Sequence, residues 1–122
     1  MNVIVAIDSL KGSLSSLQAG AAAKAGILRA IPAATVSIKP VADGGEGTVT
    51  ALVSGLSGES VTIPVTGPLG ETVEATYGIL PDHTAVIEMA EAAGLPLVPA
   101  EKRNPMNTTT YGVGEMILHA LD

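Results

Sequence analysis

The sequence predicts an α/β protein that begins as a doubly wound parallel sheet and continues into a region of antiparallel strands. The run "NVIVAI" at 2–7 is short, apolar and β-branched, as in strands buried on both faces of a parallel sheet. Strand and helix patterns then alternate through about the first 65 residues, which is the order of a doubly wound layer. After that point the hydrophobic period changes to two, which indicates antiparallel strands.

The first half contains three predicted strands and two predicted helices. The strands are residues 2–7, 35–41 and 60–65. Ser13 is the predicted N-cap of the first helix, which ends before Pro32. The apolar positions of this helix are Leu14, Leu17, Ala21, Ala25 and Leu28. Those of the second helix, which ends around Gly55 to Gly58, are Val49, Leu52, Val53 and Leu56.

The second half is predicted to begin with an antiparallel hairpin. "TVEATYGIL" at 72–80 alternates with period two, "PDHT" is a turn, and "AVIEMA" at 85–90 has the composition of a further strand. We therefore divide the chain into residues 1–66, the first part of one domain, and 67–122, the beginning of a second α/β domain.

The chain is predicted to end in a helix, with Thr108, Thr109 and Thr110 as cap candidates. Its apolar positions are Val113, Met116, Ile117, Ala120 and Leu121. Asp122 places negative charge at its C-terminus, where it opposes the helix dipole. We therefore expect the natural chain to continue beyond this residue, and we expect part of the apolar helix face to be exposed.

Composition and charge exclude several classes of protein. A hydrophobic fraction of 47% predicts a real core, and a formal net charge of −6 disfavours nucleic acid and anionic membranes as partners. The chain has no cysteine, its N-terminal apolar run is too short for a signal peptide, and no segment is long and apolar enough to span a membrane. These features predict a soluble cytoplasmic protein.

Two polar loops follow the first two predicted strands. "DSLKGS" at 8–13 contains Asp8, Ser9, Lys11, Gly12 and Ser13, and "ADGGEGT" at 42–48 contains Asp43, Gly44, Gly45, Glu46, Gly47 and Thr48. Ligands of open α/β sheets bind outside the carboxyl ends of the strands, so we expect both loops to open onto one crevice. Glycines before a helix suit phosphate, but two carboxylates repel it unless a divalent cation bridges them or one of them accepts a proton from a hydroxyl.

Each of these residues also has a simpler structural interpretation. Asp43 is typical of an Asx-turn, Glu46 of a helix's first turn, and Lys11 of a solvated loop. Ser9 and Ser13 suit turn and cap positions, so the functional interpretation depends on the convergence of these polar groups at two adjacent strand ends.

For Arg103 we weigh a bidentate clamp on a carboxylate against an ion pair with Glu101. Glu88 is either solvent-facing or paired, and His83 and His119 receive no role. The P-loop and GxGxxG motifs are absent.

Four segments in order resemble the motifs of the glycerate kinase family, which phosphorylates D-glycerate with ATP. They are "AIDSLKGSLSS", "PVADGGEGTV", "VTGPLGE" and "RNPMNTTTYGVGE". The resemblance extends over essentially the whole chain and implies a protein about three times as long. It further implies a Rossmann-like domain built from both ends of that protein, with a second α/β domain inserted between them. This chain would be the N-terminal third. It lacks the family's downstream "GIGGSATNDGG"-type segment, so we expect the piece alone to be inactive.

The resemblance also implies where phosphoryl transfer from MgATP takes place. Within the matched motifs we assign Asp43, Glu46 and Lys11 as catalytic, with Asp8 and Asp43 as candidate Mg²⁺ ligands. Residues expected to bind the nucleotide are Ser9, Gly12, Ser13, Gly44, Gly45, Gly47 and Thr48. Residues expected to bind D-glycerate are Arg103, Thr108, Thr109 and Thr110. The product expected is 2-phosphoglycerate, and self-association into a homo-oligomer is left open.

Two other functions agree with the same residues. A non-catalytic α/β module that binds a small molecule or anion would need the same glycine loops, and a kinase of another small hydroxy acid would need the same carboxylates. Pocket shape, which separates these functions, is not readable from the sequence.

Overall fold

The structure is a computed structural model that describes residues 1–10 and 13–122, so Lys11 and Gly12 lie outside the described residues. The strands are β1 (Asn2–Ile7), β2 (Thr35–Pro40), β3 (Glu59–Thr66), β4 (Thr72–Ile79) and β5 (Ala85–Val86). The helices are α1 (Ser16–Ala30), α2 (Thr48–Leu56), α3 (Met89–Ala93) and α4 (Tyr111–Leu121). Short 3₁₀ turns occupy Leu95–Leu97, Ala100–Lys102 and Pro105–Asn107. The predicted α/β class is confirmed, with one parallel and one antiparallel sheet.

The first sheet consists of β1 and β2, which pair in parallel from Asn2 opposite Thr35 to Ile7 opposite Pro40. The connecting helix α1 packs closely on it, because a Cβ at Gly20 would lie 2.5 Å from Cγ2 of Ile38. Exposure alternates along β1, and Ile4 is 70% exposed. The expectation that β1 is buried on both faces is therefore wrong for the described residues, because α1 covers only one face of this strand.

Helix α1 begins two residues later than predicted. Ser15, not Ser13, is its N-cap, and Ser15 and Gln18 form a reciprocal capping box. The backbone N–H of Ser13 instead donates to the carbonyl of Leu10 at 2.8 Å, within a turn that also bridges Leu10 to Leu14. This turn delays the helix because it uses the backbone groups that an earlier first turn would need.

The second sheet has the order β3-β4-β5 and is antiparallel throughout. Strand β3 pairs with β4 from Glu59 opposite Ile79 to Thr66 opposite Thr72, so its predicted place as third strand of the parallel layer is wrong. A tight turn with Gly70 at φ 90° makes this local pairing available without a crossover. The hairpin of β4 and β5 is confirmed, although β5 ends at Val86 and α3 follows. The domain boundary at residue 66 stays a prediction.

The core lies where α3 and α4 pack against the antiparallel sheet. Its buried side chains are Ile63, Val65, Ala75, Tyr77, Ala92 and Met116. Along α4, Met116 is fully buried, whereas Ile117, Leu118 and Leu121 are 48%, 65% and 79% exposed. Part of the predicted apolar face of α4 therefore faces solvent. Among the described residues, no helix is both long and apolar enough to cross a membrane.

Candidate active site

A cavity of about 350 Å³ lies at the carboxyl ends of β1 and β2 and is lined by both polar loops. From the first loop it receives Asp8, Ser9 and Ser13, and from the second it receives Glu46 and Gly47. Leucines from the turn before α1 and from its first turn, together with Pro40 and Val41, form apolar walls. The prediction that the two loops open onto one crevice is therefore confirmed. We call this space the first cavity.

Two short hydrogen bonds lie at the ends of the first loop. One carboxylate oxygen of Asp8 accepts the backbone N–H of Ser9 at 2.6 Å, and the hydroxyl of Ser16 donates to the carbonyl of Ile7 at 2.6 Å. The second bond ties the start of α1 to the end of β1. Asp8 is half-buried and keeps its place on the cavity wall. Lys11 and Gly12, predicted for catalysis and nucleotide binding, lie outside the described residues.

The glycine loop, residues 42–48, brings only some of its predicted site residues to the first cavity. Gly44 and Gly47 have φ of 97° and 91°, a left-handed conformation that favours glycine. Oδ1 of Asp43 accepts the N–H of Gly45 at 3.0 Å, which is an Asx-turn, and the Thr48 hydroxyl donates to the Gly45 carbonyl at 2.7 Å. Asp43, Gly44, Gly45 and Thr48 do not line the first cavity, whereas Glu46 and Gly47 do.

Glu88 holds the other side of this loop, a contact that the sequence did not reveal. Its side chain is only 5% exposed, and both carboxylate oxygens accept the N–H of Gly47 at 3.1 Å. Oε2 also accepts the N–H of Val49 at 3.3 Å. These N–H groups belong to the N-terminus of α2, where an anion is favoured. A phosphate could reach them only by displacing Glu88. An acidic residue inside the apolar run "AVIEMA" was the only signal in the sequence.

The carboxylates at the first cavity fit a cation whose other ligands come mainly from a bound substrate and water. Asp8 and Glu46 are the two carboxylates on its wall, and the other predicted metal ligand, Asp43, lies on the loop beside it. Within residues 1–10 and 13–122, no cluster of three or more acidic, histidine or cysteine side chains could form a protein cage for a metal. Mg²⁺ does not need such a cage, because one or two carboxylates with substrate phosphates and water complete its coordination.

A second cavity, of about 560 Å³, gathers the residues predicted to bind glycerate. Arg103, Thr108, Thr109 and Thr110 all line it, and its apolar wall includes Met89, Leu95 and Val98. Nε of Arg103 donates to the Val98 carbonyl at 3.1 Å, which fixes the position of the guanidinium group at its Nε atom. We call this space the second cavity.

The threonines of the second cavity lead directly into α4. The N–H of Thr109 donates to the Pro68 carbonyl at 3.0 Å, and its hydroxyl accepts the N–H of Tyr111 at 3.1 Å. Thr110 is the N-cap residue of α4, and its side chain makes no capping hydrogen bond. A guanidinium and a helix N-terminus on one cavity wall both favour a small anion such as a carboxylate.

Known proteins resemble this chain along its whole length. The family model described as "Glycerate kinase family" matches residues 3–122. A glycerate kinase of Halalkalibacterium halodurans is 53% identical over 121 residues, which are 98% of this chain and 32% of that protein. The glycerate 2-kinase of Escherichia coli (strain K12) is 50% identical over 123 aligned positions, which cover 100% of this chain and 32% of that protein.

A solved structure agrees with these sequence matches. A crystal structure assigned to glycerate kinase 2 from Salmonella typhimurium LT2 superposes with a TM-score of 0.78 at 48% identity, over 100% of this chain and 33% of that one. The chain thus spans about a third of the length of the curated relatives it matches. A family match over nearly every residue shows that the chain belongs to the glycerate kinase family.

Proposed function

We propose that this chain takes part in the phosphorylation of D-glycerate by ATP, giving 2-phosphoglycerate. In this reaction a glycerate hydroxyl oxygen bonds to the γ-phosphorus while the bond from that phosphorus to the bridging oxygen of ADP breaks. The hydroxyl proton passes to a base. The observation that carries the proposal is the meeting of two family motifs at the first cavity, which both Asp8 and Glu46 line. The name glycerate 2-kinase of the Escherichia coli relative supports the position of transfer.

The first cavity is the proposed place of phosphoryl transfer. Glu46 is exposed on the cavity wall and is our preferred acceptor for the hydroxyl proton, because a base must come within hydrogen-bond reach of the reacting group. Asp8, with substrate phosphates and water, would hold Mg²⁺, which would supply charge neutralisation at the phosphates. The roles of Asp43 as base or metal ligand and of Lys11 as phosphate partner remain predictions. Ser9 and Ser13 line this cavity, and we propose that their hydroxyls donate to nucleotide phosphates.

The second cavity is the proposed place of the glycerate carboxylate. Arg103 supplies the charge, and Thr108 to Thr110 supply hydroxyl groups at the start of α4. We further propose a cytoplasmic location, without nucleic acid or membrane as partner, on the basis of the charge and composition of the sequence.

The activity is testable with the chain by itself and with a chimera. In the chimera, this chain replaces the matching third of the Escherichia coli glycerate 2-kinase, to which it is 50% identical. We expect the chimera to convert ATP and D-glycerate to ADP and 2-phosphoglycerate, as measured by coupled ADP release and by ³¹P NMR of the product. We expect the chain alone to show no turnover. A chimera that folds but phosphorylates only another hydroxy acid, or nothing, would contradict the proposal.

Two substitutions in the chimera separate the roles of the carboxylates. Glu46→Gln should lower kcat by about 10²- to 10⁴-fold if Glu46 accepts the proton. Asp43→Asn keeps an oxygen acceptor for the Gly45 N–H and so keeps the Asx-turn, whereas Asp43→Ala removes it. A loss of turnover or of Mg²⁺ affinity in Asp43→Asn would therefore report the charge. Unchanged turnover and Mg²⁺ affinity in that variant would remove Asp43 from the catalytic and metal-binding sets.

A further inference from the structure

Glu88 is the buried charged residue of the described chain, and none of the proposed chemical steps uses it. It is 5% exposed and lies between β5 and α3, at the end of the antiparallel sheet. It stands at the N-cap position of α3, yet its side chain makes no capping hydrogen bond there. Its carboxylate instead reaches a loop about 40 residues earlier in the chain. A buried carboxylate directed away from its own helix needs a partner that compensates for its desolvation.

That partner is the N-terminus of α2. Gly47, the N-cap residue, has no side chain to accept a helical N–H, and no side-chain capping bond is made by it. Glu88 supplies the missing cap by accepting the N–H groups of Gly47 and Val49 at 3.1–3.3 Å. The other hydrogen bonds of the loop are local, from Gly45 to Asp43 and from Thr48 to Gly45. Among these hydrogen bonds, only those that Glu88 accepts connect the loop to the end of the antiparallel sheet.

The residue placed by this contact is Glu46. It precedes Gly47 directly and lies on the wall of the first cavity. We infer that Glu88 is a positioning residue for phosphoryl transfer: it fixes Gly47 from the antiparallel sheet and thereby holds the Glu46 carboxylate at the first cavity. This inference rests on the proposed function. Glu88 itself touches no reacting atom in this scheme, and its effect is transmitted through one backbone residue.

The chain offers a matched control in Glu91. Its Oε2 accepts the backbone N–H of Thr76 at 3.0 Å, so it is also a partly buried carboxylate bonded to an amide. Thr76 lies in β4, away from the glycine loop. Glu88→Gln and Glu91→Gln remove the same charge and each keeps one oxygen acceptor. In Glu88→Gln, however, one of the two oxygens that accept the Gly47 N–H becomes an NH₂ donor facing that N–H, so the bond weakens. Glu91 uses a single oxygen, so Glu91→Gln can keep its bond to Thr76. Glu88→Asp keeps the charge and shortens the reach, which tests whether position or charge matters.

The contact is first tested by amide hydrogen exchange and ¹H–¹⁵N NMR of the unmodified chain. The Gly47 and Val49 amides have no acceptor within α2, because the first N–H groups of a helix lack intrahelical partners. Slow exchange at both amides is the expected result, and exchange at the rate of unprotected amides would overturn the inference without any variant. In Glu88→Gln we expect faster exchange at both amides, because one acceptor oxygen is lost, and a shift of the Glu46 resonance, with neither change in Glu91→Gln.

The consequence for catalysis is tested in the chimera. Glu88→Gln and Glu88→Asp should lower kcat by about 10- to 100-fold with little change in either KM, because a small misplacement of a reacting group carries a cost of that order. Glu91→Gln should lower thermal stability but leave kcat near that of the parent chimera. Equal kcat values in the Glu88 and Glu91 variants would overturn the positioning role. An inactive parent chimera would overturn the proposed function instead, and the amide measurements would still decide whether Glu88 holds the loop.

Discussion

Gly112 determines how closely α4 approaches β3, and substituting it gives a sharp test of the packing described above. A Cβ at this position would lie 2.2 Å from the carbonyl oxygen of Thr66 and 3.1 Å from Cγ2 of Val65. The nearest atom is backbone, so it cannot rotate away as the end of a side chain could. In Gly112→Ala, α4 must therefore move outward by roughly 0.8 Å to restore a 3.0 Å contact.

The magnitude follows from two opposing effects. Alanine in place of glycine favours a helix by about 1 kcal/mol. Overpacking costs about 1–3 kcal/mol, and we take the upper end because the clash is with backbone. The net loss in the free energy of unfolding is then about 2 kcal/mol, which for a chain of this length lowers Tm by about 8 °C. The shift would also displace Thr110, the N-cap of α4 on the wall of the second cavity.

Gly114 is the control, because it lies in the same helix and a Cβ there meets no atom within 4 Å. Gly114→Ala should raise the free energy of unfolding by about 0.5–1 kcal/mol, since only the helix preference changes. Thermal and urea unfolding of both variants, followed by circular dichroism, measures the two effects. If Gly112→Ala is as stable as Gly114→Ala, the close approach of α4 to β3 is refuted.

Three further predictions concern the core, a buried hydroxyl and acid stability. Met116→Ala should lower the free energy of unfolding by about 2–5 kcal/mol because Met116 is fully buried, whereas Ile117→Ala, at a position 48% exposed, should cost much less in the same urea titration. Tyr77→Phe removes the 2.8 Å hydrogen bond between the Tyr77 hydroxyl and Nδ1 of His119 and should lower the free energy of unfolding by about 1 kcal/mol. An unchanged free energy of unfolding would contradict this bond. The backbone N–H of Thr84 lowers the pKa of Asp82, so this carboxylate contributes stability above its unfolded pKa that is lost as pH falls through the lower folded pKa. Asp82→Asn should therefore flatten the acid limb of a Tm-against-pH curve, and an identical limb in both proteins would contradict this assignment.

Local patterns in the sequence predicted most of the secondary structure. The strand within 72–80 and the helix of Val113 and Met116 were predicted because periods of 2 and 3.6 residues depend only on neighbouring side chains. The strand at 2–7 was predicted from its apolar, β-branched composition. The convergence of the two polar loops was also predictable, because parallel strands place their carboxyl ends at one edge of a sheet. Ser13 was a wrong N-cap because a hydrogen-bonded turn at Leu10 competes with the helix start.

The residues by themselves determined the α/β class, the two polar loops and the motifs that place the chain in the glycerate kinase family. Tertiary structure decided that β3 pairs with β4 in the antiparallel sheet and that Glu88 caps α2. These contacts depend on where the folded backbone brings distant groups together. The sequence around Glu88 does not indicate that its carboxylate will accept the amide of Gly47, 41 residues earlier.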